Sequence, residues 1–221
     1  ELNSQKTYEV KTTTPVDKTT NITPTSDANN DWKVYFSSQL NFSLQYPKSF
    51  ILDQIPGRSD FLGGVIFYPF GSLPKGGSDF VRQGEKVFSN LGQSKEEYMI
   101  VTANTFPVNY DPNTANPYYQ GKANDIVAFL SDKNVLQALM KDVHVRPADV
   151  SGINVHTNLT QPYSLVNFTQ SIYGKKGVTK ILFTRNGKLG GATVYFVTYV
   201  APINKYSDTT ATTLFSSFSL Q

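Results

Sequence analysis

Leu40-Asn41-Phe42-Ser43-Leu44-Gln45-Tyr46 alternates apolar and polar side chains without a break and stops at Pro47. Period-two alternation places Leu40, Phe42, Leu44 and Tyr46 on one face of a strand, and Pro47, which lacks an N–H, ends it. Upstream, Trp32-Lys33-Val34-Tyr35-Phe36 opens the folded part and gives way to a turn. Downstream, Phe50-Ile51-Leu52 and Val65-Ile66-Phe67-Tyr68 read as short strands, separated by the breakers of 56–60 and by Gly63-Gly64. The pattern predicts an antiparallel meander.

Beyond it the text changes. Gly71-Ser72-Leu73-Pro74-Lys75-Gly76-Gly77 is too rich in breakers for regular structure, and 79–91 suits a poor helix or a strand. Glu97 to Ala103 carries a β-branched run and reads as a strand, followed by a long loop over 104–121 with Pro107, Pro112 and Pro117. Ala123 to Lys141 gives the best helical period, with Ile126, Phe129 and Leu130, then Val135, Leu136, Leu139 and Met140. Ser131-Asp132 interrupts it and supplies an N-cap, so two short helices or one bent one are expected. Strands follow over 152–158, 164–173, 179–185 and 194–201, with a hairpin-type Asn186-Gly187 between the last two. Asp208 is expected to cap a helix to about Ser216, before Phe218-Ser219-Leu220.

The 221 residues, 39% apolar and 13% aromatic, suffice for one core, and a single domain over 31–221 is expected. The first thirty residues differ: Thr12, Thr13, Thr14, Pro15, Thr19, Thr20, Thr23, Pro24 and Thr25 mix with Asn and Lys and show no apolar period. Such a stretch buries too little to fold alone and reads as a flexible tether. With Glu1 rather than Met in first place, an upstream signal peptide or membrane anchor is expected, and with it an extracytoplasmic location. Sequons at Asn21, Asn41, Asn158 and Asn167 matter only in a glycosylating pathway.

Twenty basic against seventeen acidic residues leave +3, too little to point to nucleic acid or an anionic membrane as partner, so a membrane is expected only through an upstream anchor. The absence of cysteine removes disulfides, thiolate metal sites and cysteine nucleophiles. The longest apolar runs, such as Val194 to Ala201, are far shorter than the roughly 20 residues of a membrane span.

Two motifs carry a family resemblance. Phe42-Ser43-Leu44-Gln45-Tyr46-Pro47-Lys48-Ser49-Phe50 resembles the opening of the PsbP-like domain, with Phe50 where an aromatic is usual. Gly187-Lys188, the run Val194 to Tyr199, a short helix and Leu214-Phe215-Ser216-Ser217-Phe218 resemble its close. The similarity spans about 32–70 and 151–221, while 71–150 matches nothing and is expected to be a variable middle region. The resemblance implies an α+β fold, an antiparallel β-sheet flanked by helices as an α/β/α sandwich. It implies no activity, because its members include an extrinsic photosystem subunit, a Ran-binding import factor and many bacterial lipoproteins. The bacterial exported branch fits the Thr/Pro-rich tether.

Chemistry-bearing constellations are sparse. His144 and His156, twelve residues apart across Pro147, make no helical ligand pair. With Asp142, and Asp149 nearby, they supply the one conceivable oxygen and imidazole metal site. Glu96-Glu97 are adjacent and face different sides. No Gly-x-Ser-x-Gly elbow or phosphate-binding glycine loop occurs. Lys175-Lys176, with Lys180 and Arg185, read as a hairpin tip kept soluble. Tyr110, Tyr118 and Tyr119 sit among prolines in the long loop, a composition that suits recognition, because tyrosine gives rigid contact area with a polar tip. The same tyrosines also suit a structural role, pinning the loop to the sheet.

The expectation is a monomeric, non-catalytic envelope module without cofactor that binds or scaffolds a protein partner. The alternative is a ligand- or metal-binding envelope protein, or a hydrolase of unfamiliar pattern. Replacing Tyr118 and Tyr119 by Ala is expected to weaken partner capture at nearly unchanged thermal stability; a large stability loss would make them core residues.

Overall fold

A computed structural model describes residues 31–57, 61–70, 96–107, 126–143, 145–157, 159–186 and 191–221. Ten strands occur among them: β1 (Trp32–Ser37), β2 (Phe42–Pro47), β3 (Phe50–Ile55), β4 (Phe61–Pro69), β5 (Tyr98–Pro107), β6 (Val150–His156), β7 (Tyr163–Gln170), β8 (Lys175–Asn186), β9 (Gly191–Pro202) and β10 (Ser219–Leu220). The described helices are α1 (Ile126–Ser131), α2 (Lys133–Leu139) and α3 (Asp208–Ser217).

Seven strands form one antiparallel sheet in the order β3-β4-β5-β9-β8-β7-β6, and β1-β2-β10 form a second. Leu44 and its partners alternate as expected, yet the meander breaks at Pro47, where β2 stays in the small sheet and β3 enters the large one. Pro47 still lies opposite Trp32 and Lys48 N–H donates to the Asp31 carbonyl at 2.8 Å, so the pairing with β1 ends only at the turn that leads into β3. Leu40 falls in the turn before β2, whose Asn41 has a positive φ of 54°.

One face of the large sheet packs Ile66, Ile100, Phe168, Ile181 and Phe196 against Leu130, Leu136, Leu139 and Met140 of the helical segment. The other packs Phe67, Val101, Leu182, Tyr195 and Val197 against Phe42 and Leu44 of the small sheet and Leu214 of α3. The fold is thus antiparallel α+β and dominated by sheet. Helices were expected on both faces; among the described residues one face carries α1 and α2, the other mainly the small sheet with α3.

The helical break falls where Ser131-Asp132 stands. Asp132 caps α2, its carboxylate accepting from the N–H groups of Asn134 at 2.8 Å and Val135 at 3.2 Å. At α3 the cap is Ser207, not Asp208: its hydroxyl accepts from Thr210 N–H at 3.1 Å, and Asp208 lies in the first turn, where its charge favours the helix dipole. Strand β5 continues through Asn104-Thr105 to Pro107, residues that read as loop, because β9 pairs with it along that whole length. Residues 79–91 lie outside the described residues.

Strand β8 starts at Lys175, earlier than its β-branched run suggests, after a single 3-10 turn, Ser171–Tyr173, closed by Gly174 at φ 62°. Gly177 lies opposite Phe168, and the Phe168 ring occupies the space of its missing side chain: a Cβ there would come within 2.3 Å of Cζ. Gly177→Ala must push a buried ring aside and is expected to destabilise by about 1–3 kcal/mol, read by chemical denaturation. An unchanged midpoint would mean the ring has room to yield.

Candidate interaction surface

Where β7 turns into β8, β9 runs towards α3 and β5 begins, Lys175 and Lys176 meet aromatic rings, and Lys180 does so farther along β8. Alternation along β8 sends Lys175 to the face of α1 and α2, and Lys176 and Lys180 to the other. Lys175 is buried, with Nζ 5.0 Å from the centroid of the Tyr98 ring. Lys176 Nζ lies 4.2 Å from the Tyr206 ring, and Lys180 Nζ 4.5 Å from that of Tyr163. Lys180 also donates to the carbonyl of Phe215 at 3.0 Å, meeting one of the carbonyls that the end of α3 leaves open. The cluster is therefore no solvated tip: cation–π contacts and aliphatic stems hold the three lysines against the sheet.

The two carboxylates divide as adjacent residues must. Glu96 pairs with Lys205 at 2.9 Å, while Glu97 accepts from the Tyr199 hydroxyl at 2.8 Å. Burial, helped by Glu97, pushes the Tyr199 phenol well above the ordinary tyrosine range, and burial alone does the same to Tyr98. Tyr206 is pushed up to about 12 by burial and by the charge of Asp208. Burial pulls Lys175 down to about 8 against the opposing influence of Glu96, and lowers Lys180 as well.

Around this base three large apolar side chains are exposed. Ile172 is 71% exposed, Tyr173 49% and Ile203 55%. Their two turns are joined by a hydrogen bond from Ile203 N–H to the Gly174 carbonyl at 2.9 Å. Arg146, in the neighbourhood of Tyr173, is bound bidentately by Asp149 at 2.8 and 2.7 Å. A second apolar feature lies on β1, where Val34 (62%) and Phe36 (46%) share one exposed face. Among the described residues β1 pairs only with β2 and is an edge of the small sheet.

The residues expected to bind are distributed otherwise. Tyr110, Tyr118, Tyr119 and His144 lie outside the described residues, as does the side chain of Asp142. His156, at the end of β6, stacks on Tyr163 with ring centroids 4.6 Å apart. Asp149 precedes the other end of that strand, so β6 holds His156 and Asp149 apart by roughly 20 Å at ~3.3 Å per residue. Among the described residues no group of three or more His, Asp or Glu is placed to hold a metal ion, and no helix is long and apolar enough to cross a membrane. Ile172 and Tyr173 read as the end of a strand; the signal that they form a turn tip was Gly174.

No family model and no curated protein matches the sequence. Among solved structures the chain is similar to cyanobacterial PsbP (CyanoP) of Synechocystis sp. PCC 6803, at 12% identity and TM-score 0.48, over 90% of this chain and 99% of that one. It is also similar to the Ran-binding protein Mog1p of Saccharomyces cerevisiae, at 10% identity and TM-score 0.38, over 86% and 95%.

Lys175 sets a pH dependence. Between about 8 and its ordinary 10.5 the unfolded chain holds the proton that the folded chain has released, so stability rises with pH there. Above the ordinary tyrosine value of 10.0, Tyr98 and Tyr199 reverse the slope, because the folded state keeps their protons longer. Urea midpoints of the wild type are expected to climb between pH 8 and pH 10. In Lys175→Met the climb should be smaller, Lys180 supplying the remainder; an equal climb in both proteins would show that Lys175 does not cause it.

Proposed function

We propose that this chain is a non-catalytic, extracytoplasmic binding module of a bacterial cell envelope, built on a PsbP-like α+β domain, and that it docks a protein partner along β1. The observation carrying this reading is the exposed pair Val34 and Phe36 on an edge strand. An edge presents unpaired backbone groups in a row, and an extended partner segment that adds to it gains main-chain hydrogen bonds, with alternate side chains setting specificity. The Thr/Pro-rich residues 1–30 lead directly into β1 and supply the tether of this reading. Tyr110, Tyr118 and Tyr119 belong to it as a further contact.

The test pairs Val34→Thr with Phe36→Thr, which keeps β-branched or neutral side chains on an already exposed face. Immobilised wild type should retain a protein from a solubilised envelope fraction, and the double variant should retain at least about tenfold less at a thermal midpoint within a few degrees. Equal retention by both would remove β1 from the binding surface.

A further inference from the structure

We infer that the paired turns 171–174 and 203–205 form a membrane-contacting tip, with Ile172, Tyr173 and Ile203 seated in the interfacial layer of a lipid bilayer. The inference stands apart from the reading of β1 and concerns a different surface. Residues 171–174 and 203–205 are all exposed, so the apolar side chains sit on two neighbouring turns that face water. The hydrogen bond from Ile203 N–H to the Gly174 carbonyl ties the turns to each other, and Pro202 opposite Lys175 continues the ladder beneath them.

Size and charge decide the occupant. A stable protein interface takes about 800 Å² from each partner and some 20–30 residues; three side chains fall far short, and turns, unlike the edge strand β1, offer no row of backbone groups for a partner strand to pair with. A bilayer makes no such demand, because each apolar group that leaves water contributes by itself. Two aliphatic side chains beside one tyrosine match the interfacial layer, where a ring sits at headgroup level with its hydroxyl in water. Of the cations near the tip, Arg146 is held by Asp149, Lys205 by Glu96, and Lys176 over the Tyr206 ring. Contact is therefore apolar, with no requirement for anionic lipid. Buried Lys175 and the cation–π pair of Lys176 with Tyr206 stiffen the base from which the turns project.

The experiment uses the full chain with phosphatidylcholine vesicles at millimolar lipid, and with vesicles containing phosphatidylglycerol. The wild type should float with both, and high salt should leave the bound fraction unchanged, since screening acts only on charge. Ile172→Ser combined with Ile203→Ser should lower the partition coefficient at least about tenfold, while the variant at Val34 and Phe36 should float like the wild type. Because the chain contains no cysteine, Ile172→Cys takes a single polarity-sensitive dye. Its emission should shift to the blue on adding vesicles, whereas the same dye at Ser38→Cys, in the exposed turn after β1, should not move. A wild type that stays with the aqueous phase overturns the inference. So does equal flotation of the Ile172/Ile203 variant, or binding confined to phosphatidylglycerol and lost in high salt.

Discussion

Strand β9 is covered on both faces, and the rest of the molecule is arranged around that burial. Val194, Phe196 and Val200 point towards α1 and α2; Tyr195, Val197, Tyr199 and Ala201 point towards the small sheet and α3. A strand so enclosed has no water to satisfy its backbone, so it must be paired on both sides. β5 pairs with it from Tyr98 to Pro107 and β8 from Lys175 to Asn186. Its polar side chains obey the same rule: the Tyr195 hydroxyl donates to the Leu40 carbonyl at 2.9 Å, and Thr198 shares a bond of 2.9 Å with Thr179 of the neighbouring β8. The bond from Tyr195 also fixes the turn before β2, and so registers the small sheet on the large one.

Aromatic contacts complete that registration. Phe42 stacks on Phe218 at 5.4 Å, and Tyr46 and Tyr35 meet Phe67 at 4.7 and 5.3 Å. The lysines of β8 extend the same logic to charge, since burial against a ring removes water from the ammonium group but returns the negative face of a quadrupole. Desolvation still wins at Lys175 and Lys180, which is why both hold their protons less tightly than free lysine.

Local chemistry made much of this legible. Alternation located β2, β-branched runs located the cores of β5, β8 and β9, and Asp132 marked the break between two helices. What stayed hidden depends on distant partners. Nothing near Pro47 says that the next strand joins another sheet. Lys175 and Lys176 read as soluble because Tyr98 and Tyr206 stand far along the chain, and Asn104 and Thr105 become strand only because β9 lies alongside. The apolar tip was masked by its own hydrophobicity, since Ile172 and Tyr173 extend a strand pattern until Gly174 turns it. His156 carries no ligand signature that distinguishes it from a residue stacked on Tyr163.

Closure of the small sheet has a temporal consequence. Only Ser219 and Leu220 of β10 pair with β2, and Gln221 Nε2 donates to Ser43 Oγ at 3.1 Å across 178 residues of chain. Loop entropy for such a separation must be met before any contact rewards it. During synthesis the amino-terminal segments emerge first, yet Phe42 has no Phe218 to stack on until nearly the whole described sequence is out. Completion of the small sheet is thereby deferred past translation of residue 218.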